Sequence, residues 1–370
     1  MSASLSLKPP FHQQLWEWCQ EYCPWLLRGA AVLYRVLVSV RRSAYQRDWL
    51  RQHHLPKPVV SVGNLTVGGT GKTPMVIWLA KQLHSNGKRV AILSRGYGRQ
   101  SPAGNVMVSD GMGFVRDWRI AGDEPWMIAM NCPWAIVAVG PDRHDLGQWV
   151  LAQVDCDYFI LDDGYQHVSL YRDLDVLLFD VTDVKGLVGV LPAGRLREPL
   201  NGMNGSEAFV FTRADDSSSI QAVRERIEDS LGQSISPIIL KSVLKQVQHL
   251  VTGQVTSLDT LVKSRLLVIS GIGNPKYFCE MLKSYGCEVI EEIQFPDHCS
   301  YGQNEIKLIR STMEQFIGAI AVTTEKDAVK IRELFAEDDP FFVISMNMEF
   351  LMGEEQLLGL CEKVALATGD

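Results

Sequence analysis

The stretch Ser61-Val62-Gly63-Asn64-Leu65-Thr66-Val67-Gly68-Gly69-Thr70-Gly71-Lys72-Thr73 limits the possible folds of this chain more than any other. Val59, Val60 and Val62 run into a turn of small residues, the turn closes on Gly-Lys-Thr, and a helical pattern follows. Strand, glycine loop and helix in that order make a phosphate-binding P-loop. Gly68, Gly69 and Gly71 carry no Cβ, so the loop N–H groups of Thr66 to Thr73 can close on phosphate oxygens. The start of the helix adds partial positive charge. Lys72 is placed to reach the β- and γ-phosphates and the Thr73 hydroxyl to ligate Mg²⁺. One position departs from G-x-x-x-x-G-K-[ST]: Thr66 stands where glycine is usual.

A P-loop needs a parallel sheet around it, and the chain supplies one. From 56 to about 213, short apolar runs alternate with helical segments: strands at 58–62, 89–94, 134–139, 158–161, 176–181 and 208–212, helices at 73–86, 123–131, 143–153 and 218–231. Such runs are strands buried on both faces. A second αβ run begins at Arg265, with strands near 266–270, 288–294, 319–323 and 341–345 and helices at 276–285 and 354–367. The expected fold is α/β and P-loop NTPase-like, a mostly parallel sheet with helices on both faces. The expected domains are an N-terminal helical segment over 1–55, a kinase domain over 56–235, a linker over 236–264 and a smaller α/β domain over 265–370.

The N-terminal segment has its own character. Helices are expected at 11–23 and 25–51, broken at Pro24. The second is apolar but carries Arg28 and Arg35 on one face, so it is too short and too charged to span a bilayer. It suits the membrane interface, or else a core or dimer contact. Eight Lys/Arg against three acids give residues 1–60 a net +5, while the whole chain carries −7. That asymmetry points to an anionic surface and away from general nucleic-acid binding. The eight cysteines show no C-x-x-C or zinc spacing, as in a reduced cytosolic protein, and no signal peptide is visible.

The next chemical signal is Tyr158-Phe159-Ile160-Leu161-Asp162-Asp163-Gly164, an apolar strand ending in acid where a P-loop needs a carboxylate for Mg²⁺. Adjacent aspartates on an extended chain point to opposite sides. One could serve the metal while the other orients a neighbour. Asp123 in Gly122-Asp123-Glu124-Pro125 reads equally as a helix cap or a general base. His298 in Phe295-Pro296-Asp297-His298 reads as structural or as a tuned imidazole. Three loops rich in Gly, Arg and aromatics, at 94–99, 140–145 and 191–199, suit anion recognition, and the first two follow strands.

Taken in order, S-V-G-N-L-x-x-G-G-x-G-K-T-P, S-R-G-Y-G-R, G-D-E-P, G-x-x-R, D-D-G-[YF]-Q-H, L-P-A-G-x-L-R-E-P, F-x-D-H and T-x-K-D resemble the tetraacyldisaccharide 4'-kinase family of Gram-negative bacteria. Thr66 agrees with that family's own loop. The resemblance implies a kinase that moves the γ-phosphate of ATP to the 4'-hydroxyl of a tetraacylated glucosamine disaccharide 1-phosphate, giving lipid IVA. It also implies a peripheral position on the cytoplasmic side of the inner membrane. It implies Asp123 as base, assisted by His298 from the other domain, with Lys72 on the phosphates. Thr73, Asp162, Asp163 and Glu198 are implied for Mg²⁺, and Tyr97, Arg143, His167 and Arg197 for the disaccharide. The competing reading is a membrane-associated P-loop ATPase with no lipid acceptor. A GTPase is disfavoured, because Thr324-Glu325-Lys326-Asp327 lacks the [NT]-K-x-D spacing.

Overall fold

The P-loop strand, Val59–Asn64, is parallel to Tyr158–Asp162 on one side and Leu174–Asp180 on the other. This comes from a computed structural model, which describes residues 5–6, 21–99 and 104–367. Outward from that centre the sheet continues through Val90–Ser94 and Ile136–Val139 to Val106–Asp110, and in the other direction through Ala208–Thr212 to Ile238–His249. The pairings on this path are parallel except that of 106–110 with 136–139. The loops after 59–64, 90–94, 136–139 and 158–162 therefore leave the same edge of the sheet, where open α/β sheets bind ligands.

Both faces of this sheet are covered, which is why its strands read as unbroken apolar runs. Val60, Val62, Ile92 and Ile160 meet Met75, Val76 and Leu79 of helix Lys72–Ser85. Their neighbours Val59, Ala91, Leu93, Phe159 and Leu161 point the other way, onto Leu146 and Val150 of helix Arg143–Leu151. The period of two assigns each residue to a face.

The chain divides into two compact units, residues 12–242 with 348–370, and residues 1–11 with 243–347. This corrects the expected boundaries in three places. Residues 236–264 are not a free linker, since 238–249 is a strand and 258–262 a short helix. Leu5–Ser6 pairs with Ile293–Gln294 of the smaller unit, so 1–55 is not one segment. Helix Glu354–Ala367 belongs to the larger unit, where Leu357, Cys361 and Val364 enter the core beside Val60 and Tyr158. The chain passes from one unit to the other within strands Ile238–His249 and Phe341–Met352.

The smaller unit is also a parallel sheet, in the order 5–6, 288–294, 265–270, 320–324, 341–352. Leu266 and Val268 face helix Pro275–Ser284, while Leu267 and Ile269 face Ile309 of helix Gln303–Gln315 and Ile331 of helix Glu325–Ile331.

Of the helix expected over 11–23, only residues 21–23 are described. The second helix runs Pro24–Gln46, shorter than the expected 25–51, because Asp48 takes φ +56° and breaks the turn. Leu27, Ala31, Tyr34, Val38, Arg42 and Tyr45 recur at helical spacing and are buried or half-buried against the larger unit. Trp25, Leu26, Val32, Leu33, Val36, Leu37 and Val40 are exposed. Among the described residues no helix is long and apolar enough to cross a membrane.

Candidate active site

The P-loop begins where Asn64 ends its strand. Asn64 is fully buried and its amide donates to Thr66 O at 2.8 Å. Thr66 is not among the residues with positive φ, and it forms an antiparallel bridge with Leu196. A threonine serves at this first loop position because the backbone there is extended. Gly68 and Gly71 do take positive φ, +116° and +89°, and Gly71 opens the helix that starts at Lys72. A Cβ on Gly68 would also meet Arg195 Nη2 at 2.7 Å. Thr212 Oγ1 donates to Thr70 O at 3.0 Å and anchors the loop's far side, while the buried Thr70 hydroxyl has no protein partner.

Lys72 is held in place before any phosphate arrives. Its Nζ donates to Asn64 Oδ1 at 3.2 Å and lies 3.5 Å from Asp163 Oδ1. Asp163 turns out of its strand at φ +50° and also takes Arg197 Nη1 at 3.0 and 2.9 Å on its two oxygens. Burial works against its charge, but Lys72 and Arg197 hold its pKa below the ordinary carboxylate value.

Asp162 has the opposite surroundings. It is buried at the strand end, where Ser94 Oγ donates to Oδ2 at 3.0 Å and Oδ1 has no protein partner. Burial first, and then the charges of Glu124 and Asp163, push its pKa up to about 7 against the pull of Ser94 and Lys72. A buried carboxylate with an orphaned oxygen and acidic neighbours is short of positive charge, which a divalent cation supplies. The sequence argument separated the two aspartates by side; the structure gives Asp163 to the lysine and leaves Asp162 open.

Asp123 and Glu124 open helix Asp123–Asn131. Asp123 is buried, and its Oδ1 accepts the Glu124 N–H at 3.0 Å. Before it, Gly122 has φ +93°, and a Cβ there would lie 2.8 Å from Tyr97 O. The S-R-G-Y-G-R loop therefore packs on the start of the G-D-E-P helix. Tyr97 itself is exposed. Sequence reasoning passed over Glu124, whose charge reaches Asp162. Its only signal was adjacency to Asp123.

Arg143 begins the helix capped by Asp142 and is buried. Its backbone N–H donates to His167 Nε2 at 3.3 Å, its Nη1 donates to Gly140 O at 3.4 Å, and its Nε lacks a protein partner. Burial lowers its pKa, against the attraction of Asp162 and Asp163. Burial and the neighbouring Arg143 push His167 down to about 4, so the imidazole is neutral and accepts.

Residues 195–198 lie along the start of the P-loop as a strap. Val67 N–H donates to Arg195 O at 2.8 Å and Arg197 N–H to Leu65 O at 2.6 Å. Glu198, expected on the metal, is buried, and its Oε2 accepts from Arg42 Nη1 at 2.6 Å.

In the smaller unit the structure gathers F-x-D-H and T-x-K-D. Lys326 Nζ donates to Asp297 Oδ1 at 3.0 Å and lies 3.3 Å from His298 Nε2. His298 has φ +62°. Asp327 faces inward instead, accepting from Gly271 N–H at 3.0 Å, Tyr301 OH at 2.8 Å and Thr324 Oγ1 at 2.8 Å.

Known proteins resemble this chain along most of its length. A family model described as tetraacyldisaccharide-1-P 4'-kinase (LpxK) matches residues 23–364. The tetraacyldisaccharide 4'-kinase of Geobacter sulfurreducens is 40% identical over 320 residues, covering 86% of this chain and 87% of its own. That of Pelobacter propionicus is 37% identical over 312 residues, 84% of each. The crystal structure of the "apo" form of LpxK from Aquifex aeolicus in complex with ATP superposes with a TM-score of 0.72 at 32% identity, covering 92% of this chain and 99% of the other.

Proposed function

This chain belongs to the tetraacyldisaccharide 4'-kinase family, and from that membership we propose that it transfers the γ-phosphate of ATP to the 4'-hydroxyl of a tetraacylated glucosamine disaccharide 1-phosphate, yielding lipid IVA in lipid A biosynthesis. The observation that carries the reading is the division of labour between Asp163, which fixes Lys72, and Asp162, whose buried Oδ1 lacks a partner.

The loop N–H groups from Gly68 to Thr73 hold the phosphates, and Lys72, fixed by Asn64 and Asp163, meets the charge that builds on the transferring group. Thr73 and Asp162 are the residues that would hold Mg²⁺, which supplies charge neutralisation on the phosphate oxygens when bound. Asp123 takes the proton of the attacking hydroxyl. Its carboxylate is buried at the start of helix Asp123–Asn131. Tyr97, Arg143, His167 and Arg197 are the proposed contacts for the disaccharide and its phosphate, with His167 serving through Arg143. His298, its ring beside Lys326 and Asp297, is proposed as an auxiliary to the transfer.

The acceptor is a lipid, and helix Pro24–Gln46 is proposed to lie in the cytoplasmic face of the inner membrane. Its outward residues Trp25, Leu26, Val32, Leu33, Val36, Leu37 and Val40 form an exposed apolar surface flanked by Arg28 and Arg35. Such a surface is costly in water, and its basic flanks are attracted to anionic headgroups.

The test is γ-labelled ATP with a tetraacyl disaccharide 1-phosphate dispersed in detergent. Label in the lipid is expected. Release of inorganic phosphate by folded enzyme with no lipid label would establish the acceptor-free ATPase instead.

A further inference from the structure

We propose that Tyr34 and Arg42, on the inner face of the N-terminal helix, are positioning residues for phosphoryl transfer. They set the Arg197–Glu198 strap and through it Asp163 and Lys72. The inference rests on the reading of Asp163 and Lys72 as phosphate-handling residues.

The connection is a chain of short polar contacts within the larger unit. Tyr34 OH donates to Arg197 O at 2.8 Å, and Arg42 Nη1 donates to Glu198 Oε2 at 2.6 Å. The helix therefore grips two successive residues of the strap. The Arg197 N–H goes to Leu65 O at 2.6 Å, which ties the strap to the residue just before Thr66, the first position of the P-loop. Its guanidinium goes to both oxygens of Asp163, and Asp163 lies 3.5 Å from Lys72 Nζ. A shift of the strap moves the partner that orients the lysine.

Arg42 holds the other side as well. Its Nη2 donates to Tyr165 OH at 2.7 Å, its guanidinium stacks 4.8 Å from the centre of that ring, and Tyr165 OH donates to Gly202 O at 2.9 Å. Tyr165 is fully buried and follows Asp163 by two residues. One guanidinium thus clamps the turn that presents Asp163 and the strap that neutralises it. The planar fork of arginine suits this double task, and the ammonium of lysine does not. Burial makes the pair an expensive way to attach a helix, since side-chain exposure is 14% for Arg42 and 6% for Glu198. Apolar residues would attach it as well or better. An apolar contact, however, would not fix the strap's rotation about its own axis; directional bonds do.

The consequence is that the helix does two things with two faces. The outer face meets the lipid phase, and the inner face tunes the P-loop.

The experiment compares Tyr34→Phe, Arg42→Lys and Val36→Ser with wild type in full-length enzyme. Five quantities are measured: kcat and lipid KM in detergent micelles, thermal midpoint, ATP affinity by titration, and co-sedimentation with anionic phospholipid vesicles. Tyr34→Phe removes one hydroxyl. Loss of one directional bond is expected to lower kcat about three- to tenfold and weaken ATP binding, with co-sedimentation unchanged. Arg42→Lys should do the same more strongly. Val36→Ser should show the reverse, weaker co-sedimentation with kcat in micelles unchanged. Wild-type kcat and ATP affinity in Tyr34→Phe would overturn the proposal even if Arg42→Lys fails to fold. So would a kcat loss that tracks co-sedimentation. Failure of the functional reading is a separate outcome, since wild type would then label no lipid.

Discussion

Lys72 Nζ donates to Asn64 Oδ1 at 3.2 Å, so the residue that ends the strand before the loop steadies the residue that opens the helix after it. The loop between them is held at its two ends by one side-chain bond. Asn64→Ala removes that part-buried bond and the fully buried one to Thr66 O. The expected result is a stability loss of about 1–3 kcal/mol together with weaker ATP binding. Titration of ATP alongside a thermal melt checks it, and ATP affinity equal to wild type would refute the preorganisation of Lys72.

Gly63 is the fifth residue of the fully buried strand Val59–Asn64, where its missing Cβ makes room for a tyrosine. A Cβ there would stand 2.6 Å from Tyr165 Cβ and 3.0 Å from Tyr165 N. Backbone cannot yield as a flexible side chain can. Gly63→Ala should cost about 1–3 kcal/mol, and the melting temperature should fall by about 2–4 °C for each of those.

His167 supplies a pH dependence with a definite sign. Its folded pKa is pushed down to about 4 from an ordinary 6.5 by burial and then by Arg143. Between those values the unfolded chain binds a proton that the folded one refuses. The stabilising effect is complete above about pH 6.5 and is lost as pH falls towards 4. His167→Gln cannot titrate, so from pH 7.5 to 5 wild type should lose up to about 2 kcal/mol more stability than the variant. Parallel denaturant melts at the two pH values measure the difference.

Asp327 is fully buried and accepts from Gly271 N–H, Tyr301 OH and Thr324 Oγ1. Asp327→Ala strands three donors, each costing about 1–3 kcal/mol. The smaller unit should then melt in a separate, earlier calorimetric transition. A single transition at the wild-type temperature would deny Asp327 this role.

How far the sequence could be read follows from where its information is local. The P-loop strand and its parallel neighbours were legible because burial on both faces leaves unbroken apolar runs. Strand Val106–Asp110 was not, because it is an antiparallel edge strand ending in Ser109 and Asp110. Helix Gln303–Gln315 was missed because it buries only Ile309 and Thr312. At the site, the different surroundings of Asp162 and Asp163 arise because Asp163 leaves the strand at φ +50°, a turn that the extended reading of both residues did not include. The pairing of Arg42 with Glu198 spans 156 positions and has no local signature. Residues 236–264 read as a linker, yet strand Ile238–His249 carries the chain into its other unit, and strand Phe341–Met352, read as interior to the second domain, carries it back.

The helix Glu354–Ala367 sets an order of events during synthesis. Its Leu357 and Cys361 close over the sheet that begins at Val59, and Tyr158 OH donates to Cys361 O at 3.1 Å. A ribosome must therefore finish residues 243–347 before the larger unit's core can be sealed, and until then apolar surface around Val60 and Tyr158 stays open to water and to other chains. The smaller unit can fold while still tethered. The P-loop strand at 59–64 waits for residues 354–367 to be translated.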